Sequence, residues 1–264
     1  MPPTVLCSTG PFYMLPVRQT LEAIAAAGYD GAEVMVTGEP DTQDGALLHA
    51  IGDDLGLTIP AIHAPFLVAL LRVFTTNPLE KIKRSVGVAQ AAGAPLIVVH
   101  PPFQWQRAFA RWLKNDLDDF VLREDTTIAV ENMFPLGMRG VGVPFYSATG
   151  IEHMKRYPFV VLDTSHLAVS GIDIMTALDE ILDRLVHVHL SNNHGVGRDS
   201  HAPLTQGVLP IGTFLENLAA KEFAGTITLE LDVRPWATDQ AKLISFLKEQ
   251  REYCLERLAA PAGA

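Results

Sequence analysis

Cysteine is scarce in this sequence, since only Cys7 and Cys254 occur among 264 residues. Two cysteines are too few for the framework of several disulfides that stabilises small secreted domains. That class of protein is therefore excluded. We expect both thiols to be buried as small hydrophobic groups in a core that needs no covalent cross-links.

Long hydrophobic runs are also missing. No segment approaches the roughly 18 to 20 consecutive apolar residues of a membrane-spanning helix. The first ten residues, MPPTVLCSTG, do not show the charged stretch followed by an apolar one that is typical of a signal peptide. From these two absences we expect a cytoplasmic protein that does not associate with a membrane.

Positive charge is in short supply. The chain has 20 Lys and Arg residues against 30 Asp and Glu residues, which gives a formal net charge of −10, and it contains no basic run. Such a charge repels a polyanion unless a local basic patch compensates. Nucleic acid is therefore an unfavourable partner.

What the sequence does contain is an alternation of short β-type apolar runs with stretches of helical periodicity. Eight such runs are predicted as strands, each followed by a helix-like stretch, and several helices end at glycine, as at Gly28, Gly56 and Gly93. The predicted strands lie near residues 4–8, 31–36, 58–63, 95–100, 126–131, 159–163, 185–190 and 226–231. This pattern predicts an α/β fold, a single (β/α)8 barrel that occupies residues 1–264 as one domain. A doubly wound sheet is the alternative, but no Gly-rich phosphate loop follows the first strand.

Nine side chains that could bind a metal ion follow the predicted strands or lie in the loop beyond the seventh. They are His63, His100, Glu131, Asp163, His166, His189, Asp199, His201 and Glu230. A parallel barrel gathers the C-terminal ends of its strands on one face, so these nine should meet in one site. Several carboxylates crowded together are costly without a cation. Mixed His nitrogens and carboxylate oxygens suit Zn²⁺, Mn²⁺ or Fe²⁺ better than Ca²⁺.

The remaining histidines have simpler interpretations. His187 lies two residues before His189 on the same strand, so we expect it one layer deeper in the barrel, in the core or supporting a ligand. His49, His153 and His194 are expected at the surface.

Three long loops flank the predicted site, at residues 66–76, 134–147 and 191–209. Loops of this length in a compact domain are usually functional. The first is apolar, and it is open whether it forms a short packed helix, a substrate lid or a subunit interface. The third is polar and carries two of the nine candidate ligands.

The segments VENM, LDTSH, HVHLSN, RDSH and ELD occur in an order that resembles the xylose-isomerase-like TIM-barrel superfamily over nearly the whole chain. In its sugar isomerase and epimerase branch, the resemblance implies one divalent ion, Mn²⁺, Co²⁺ or Mg²⁺, held by Glu131, Asp163, His189 and Glu230. It also implies that Glu131 and Glu230 exchange protons with a sugar through an enediolate. His166, from the D-x-x-H motif, would then hydrogen-bond a substrate oxygen.

The endonuclease IV branch of the same superfamily implies a different chemistry. It holds three zinc ions with the same positions plus four more, which correspond here to His63, His100, Asp199 and His201. All nine positions are filled, so an apurinic endonuclease or multinuclear phosphodiesterase is the alternative function. Another metal-dependent lyase or hydrolase of a small polyol and a non-catalytic binding protein also stay open.

Charge favours the sugar branch. The loop after the second strand (TGEPDTQDG) is acidic, and the loop after the third offers only Arg72, whereas a DNA repair enzyme places basic residues along the phosphates. Phe66, Leu67 and Phe74 could still supply apolar wedges for opening a duplex. We expect a sugar or sugar phosphate as the partner, with Arg198 or Arg139 neutralising a substrate carboxylate or phosphate. Related barrels often pair, which leaves a homo-oligomer open.

Overall fold

Eight parallel strands close into one barrel in the computed structural model, which describes residues 3–66, 73–135, 137–138, 141–142, 145–146 and 149–259. Each strand pairs with the next along the chain, and the eighth pairs with the first. In chain order the barrel strands are Thr4–Ser8, Gly31–Met35, Thr58–His63, Leu96–Val99, Thr127–Glu131, Val160–Asp163, Leu185–Leu190 and Thr226–Leu229. The predicted α/β barrel and its eight strands are confirmed.

Helices surround this barrel. The α-helices are Val17–Ala26, Gly45–Leu55, Pro78–Ala92, Arg107–Asn115, Leu117–Glu124, Ile151–Met154, Thr164–Ser170, Ile174–Ile181, Ile211–Ala220 and Gln240–Ala259, and 3-10 turns span Gly10–Phe12 and Pro40–Gln43. Gly56 and Gly93 follow their helices at φ +64° and +75°, as the predicted left-handed caps require. Among the described helices, none combines the length and apolar character needed to cross a membrane.

One connection departs from the predicted alternation. Between the fifth and sixth strands, the described residues form a small antiparallel pair, Gly137–Met138 with Val141–Gly142, and a single helical turn at Ile151–Met154. Three glycines and a proline lie between residues 137 and 144, and both residue types have poor helix propensity. Composition therefore explains why the described part of this connection carries so little helix.

The barrel interior changes character along its axis. Apolar side chains form one buried cluster in the interior, made by Ala61, Leu96, Val98, Ala129 and Val161. Since side chains two residues apart on a strand share a face, the next layer on three of these strands consists of His63, Glu131 and Asp163. The apolar cluster thus forms the floor of a polar chamber at the C-terminal ends of the strands.

Candidate metal centre

Glu131 lies at the middle of this chamber and contacts four imidazoles. His100 Nε2 is 3.0 Å and His63 Nε2 3.4 Å from its Oε2, while His189 Nδ1 is 3.0 Å and His166 Nδ1 3.4 Å from its Oε1. Burial opposes ionisation, but the charge of His189 and the hydrogen bonds from the surrounding histidines hold the pKa of Glu131 well below its ordinary value. The sequence-predicted histidines that end strand three, follow strands four and six or lie on strand seven therefore meet at the Glu131 carboxylate of strand five.

The two carboxylate oxygens of Asp163 have different surroundings: one caps a helix and the other faces the chamber. Its Oδ1 accepts a hydrogen bond from the backbone N–H of His166 at 2.7 Å and so caps the helix that begins at Thr164. Its Oδ2 is buried and has no hydrogen-bond partner among the residues that the structure describes. Burial raises the pKa of Asp163 to about 7. A buried carboxylate oxygen without a donor indicates that a cation would complete this site.

The D-x-x-H spacing places His166 one helical turn from Asp163. Its Nδ1 donates to the carbonyl oxygen of Asn132 at 2.9 Å, which turns Nε2 toward Asp199 Oδ2, 3.3 Å away. Burial opposes the charged form, but the nearby charge of Asp163 and the hydrogen bond to Asp199 raise the pKa of His166 well above its ordinary value. His166 thereby joins the strand ends to the long polar loop.

Asp199 and His201 reach the chamber from that loop. The hydroxyl of Ser165 donates to Asp199 Oδ1, and His201 Nε2 lies 2.8 Å from Asp199 Oδ2. Despite burial, Glu230 and the hydrogen bond to Asp199 raise the pKa of His201 to about 9. His201 also has a left-handed backbone at φ +40°, which is strained for a residue other than glycine. The loop is therefore held in a specific conformation over the strand ends.

All nine predicted residues thus come together, and their ligand atoms fall into overlapping sets within 4.8 Å of one another. Four sets consist of these nine residues alone: His63, His100 and Glu131; Glu131, Asp163 and His189; Asp163, His201 and Glu230; and His166, Asp199 and His201. Glu131, Asp163 and His201 each belong to two of these four. A fifth set joins His63 and His189 to Glu33 on the second barrel strand. Imidazole nitrogens mixed with carboxylate oxygens are donors that Zn²⁺ and Mn²⁺ accept, so the residues fit a divalent ion.

The sequence analysis missed a tenth residue, Glu33 on barrel strand two. It is fully buried, and its carboxylate contacts His187 and His189. Burial opposes ionisation, but the two histidines hold the pKa of Glu33 well below its ordinary value. The available signal was a charged residue in the middle of the apolar run GAEVM, since charged side chains are rarely fully buried unless paired.

A cavity of about 210 Å³ opens above the chamber. It is lined by Gly10, Pro11, Tyr13, Met35, Phe66, Asp199, Ser200, His201, Glu230, Asp232 and Arg234. The guanidinium of Arg234 is held by Asp232 through two hydrogen bonds of 2.7 and 2.6 Å. Arg198 is exposed in the long loop and is not part of this lining, and Arg139 lies outside the described residues.

The other predicted residues lie as follows. Cys7 and Cys254 are buried, as expected. His187 is buried one layer below His189, while His49 and His194 are exposed. His153 is half-buried and bonds to the carbonyl oxygen of Thr149, so it is less exposed than expected.

Comparison with known proteins supports one family. The model of the xylose isomerase-like TIM barrel family matches residues 21–250. An uncharacterised protein of Mycobacterium leprae is 31% identical over 270 residues, which cover 94% of this chain and 96% of that protein.

Solved structures agree with this assignment at the level of the fold. A D-tagatose 3-epimerase-like protein superposes with a TM-score of 0.69 at 21% identity, covering 97% of this chain and 100% of the other. A family 2 AP endonuclease of Brucella melitensis gives 0.67 at 16% identity, covering 90% and 99%. This chain therefore belongs to the xylose isomerase-like TIM barrel family.

Proposed function

We propose that this protein is a divalent-metal-dependent isomerase or epimerase of a sugar or sugar phosphate. The observation that carries the proposal is the convergence of two glutamates from separate strands on one imidazole nitrogen. Glu131 Oε1 lies 3.0 Å and Glu230 Oε2 3.2 Å from His189 Nδ1. Two carboxylates from separate strands that lie close to one point suit proton removal and proton return on a substrate bound there.

The chain's own residues account for the steps of this chemistry. A divalent ion held by Glu131, Asp163, His189 and Glu230 would supply the positive charge that stabilises an enediolate. Glu230 lines the cavity and takes the proton from the carbon beside the substrate carbonyl, whereas Glu131 lies deeper and passes a proton from the protonated ring of His166, 3.4 Å away, to the enediolate. His166 Nε2 donates a hydrogen bond to a substrate oxygen.

The charge and size of the cavity favour a small polyol. Four acidic or imidazole side chains line it, and the one arginine in its described lining, Arg234, is already paired with Asp232. Hydroxyl groups can bond to these carboxylates without the repulsion that a polyanionic strand would meet. Arg198 and Arg139 stay proposals as anchors for a phosphate or carboxylate group at the substrate's outer end.

Solvent exchange tests the proposed chemistry. We expect a ketose that the enzyme turns over in D₂O to gain deuterium at the carbon beside its carbonyl. Glu230→Gln should reduce turnover by about 100-fold or more, within the range that general acid–base catalysis contributes, and reduce metal affinity far less. Glu249→Gln, an exposed substitution on the last helix, is the matched control and should leave both unchanged. Turnover by Glu230→Gln at the normal rate would exclude the acid–base assignment.

A multinuclear phosphodiesterase is the second candidate, and the overlapping ligand sets are the observation that favours it. His63 and Asp199 each belong to a set that the proposed epimerase metal does not need. We expect His63→Ala and Asp199→Ala to reduce sugar turnover less than Glu230→Gln does. If both abolish activity as completely as Glu230→Gln, and each zinc-loaded chain holds three ions, the hydrolase is the better assignment.

A further inference from the structure

We infer that Glu33 is a positioning residue that makes His189 face the metal centre with its Nδ1 atom. Glu33 lies on barrel strand two between Ala32 and Val34, and all three are fully buried. Its carboxylate does not reach the substrate cavity and is not among the ligands that the proposed function requires. A buried carboxylate is costly, so its presence here calls for a compensating interaction.

The two ring nitrogens of His189 have different partners. Nε2 lies 3.1 and 3.2 Å from the two oxygens of Glu33, on the floor side of the chamber. Nδ1 lies 3.0 Å from Glu131 and 3.2 Å from Glu230, within the proposed metal centre. A neutral imidazole has one N–H and one lone pair. A cation at Nδ1 would displace the proton that faces Glu131 and Glu230, and the carboxylate at Nε2 would accept the remaining N–H and so keep Nδ1 as the ligating nitrogen.

Glu33 is itself held in place from strands seven and eight. His187 Nε2 donates to its Oε2 at 2.6 Å, and the hydroxyl of Thr228 donates to the same oxygen at 3.3 Å. The other nitrogen of His187 bonds to the hydroxyl of Thr226. Because its partners come from two neighbouring strands, the Glu33 carboxylate has a fixed orientation, and so does the ring of His189. Carboxylates that orient ligating histidines in this way increase metal affinity.

The inference rests on the proposed metal centre, but its test measures zinc binding and not turnover. Glu33→Gln keeps the shape of the side chain and presents an amide N–H to one of the two histidines. If that histidine is His189, its proton moves to Nδ1, where it competes with the metal. We expect the zinc affinity of Glu33→Gln, measured by competition with a chelator, to fall roughly 10- to 100-fold. Glu33→Asp retains the carboxylate on a shorter side chain, so it should lose less zinc affinity than Glu33→Gln.

Thr226→Val is the matched control. It removes a bond from the same buried network but leaves both contacts between Glu33 and His189 intact. We expect its zinc affinity to stay within about threefold of the parent protein, whereas a general weakening of the network would lower it as in Glu33→Gln. Imidazole ¹⁵N spectra of the zinc-loaded parent should show the metal at Nδ1 of His189.

The outcomes separate this inference from the proposed function. Parent-like zinc affinity in Glu33→Gln, an equal loss in Thr226→Val, zinc at Nε2 of His189, or a parent protein that binds no zinc would each overturn it. If Glu33→Gln is too unstable to purify, a folded Glu33→Asp that binds zinc more weakly than both the parent and Thr226→Val supports the inference, and parent-like zinc affinity in Glu33→Asp overturns it. If zinc binding follows the expected order but no sugar is turned over, the proposed function fails and the role of Glu33 stands.

Discussion

At the scale of single residues, the carboxylates and imidazoles of the chamber contact different partners with their two polar atoms. Asp163 shows this most clearly, because one oxygen caps a helix and the other is buried without a donor. The capping role stabilises the fold, and the unpaired oxygen indicates a cation. Substitutions that keep one role and remove the other can therefore separate stability from metal binding.

Asp163→Asn should keep the cap, because its amide oxygen can still accept from the His166 N–H. We expect the metal-free protein to lose little stability, while the rise in melting temperature on adding zinc disappears. For the parent, zinc at 100 times its dissociation constant adds about 2.7 kcal/mol. Asp163→Ala loses the cap as well and should be about 0.5–2 kcal/mol less stable without metal. Thermal unfolding with and without zinc measures the metal-free stability and the stabilisation by zinc. A parent-like rise in the melting temperature of Asp163→Asn on adding zinc would contradict the metal centre.

The raised pKa of His201, about 9, predicts that zinc binding releases protons. The metal-free protein carries this proton at pH 7, and a cation bound to Glu230 and Asp163, whose charges raise this pKa, would favour its release. Zinc affinity should therefore increase as pH rises from 7 toward 9. The stability that the protonated ring contributes to the metal-free fold is fully present below pH 6.5 and is lost as pH rises through 9. Calorimetry in two buffers of different ionisation enthalpy counts the protons, and a count of zero would contradict this prediction.

At the scale of secondary-structure elements, close packing of helices depends on particular small residues. Gly45 begins the helix Gly45–Leu55, and a Cβ atom there would lie 2.2 Å from the backbone oxygen of Val88 on the next helix, Pro78–Ala92. Real Cβ atoms do not approach backbone so closely, so the two helices would have to separate. Gly87 on that second helix is exposed and has open space around it.

The two glycines form a matched pair for mutation. Gly45→Ala should destabilise the protein by about 1–3 kcal/mol, because overpacking forces the backbone to shift. Gly87→Ala should stabilise it by roughly 0.5–1 kcal/mol, because alanine is the better helix former. Urea unfolding of both variants gives the comparison. Equal effects at the two sites would show that the helices separate at little cost.

At the scale of the whole molecule, the net charge of the chain and the side chains of the cavity both disfavour a polyanionic substrate. The chain carries a formal charge of −10, and the cavity above the chamber is lined by three carboxylates and one paired arginine. We propose that residues 1–264 act as one domain on a small substrate. A homo-oligomer stays an expectation from the sequence.

Abasic duplex DNA provides the test at this scale. We expect no measurable binding or incision at physiological salt, because neutralising phosphates requires Lys and Arg contacts that this chain does not concentrate. Fluorescence anisotropy with a labelled abasic duplex and a gel assay for nicking would measure the two properties, with an intact duplex as the control. Efficient incision of the abasic strand would favour the endonuclease function instead.

The sequence by itself determined the barrel and nine of the ten titratable residues of the chamber. Both follow from local rules, since apolar runs alternate with helical periodicity and His63, Glu131 and Glu230 each stand where a strand ends. The connection after strand five was predicted as a long loop at residues 134–147, and its described residues carry one helical turn, Ile151–Met154. The long loop that brings Asp199 and His201 was identified by its length and polarity.

Only the tertiary structure decided how those residues pair. Glu33 and His187 are 154 residues apart in the chain, yet their side chains lie 2.6 Å apart inside the barrel. Likewise, the sequence contains no sign of which nitrogen of His189 faces the metal centre or which oxygen of Asp163 is unpaired. These properties depend on the register and rotation of strands around the closed ring, where distances of tenths of an ångström decide which atoms bond.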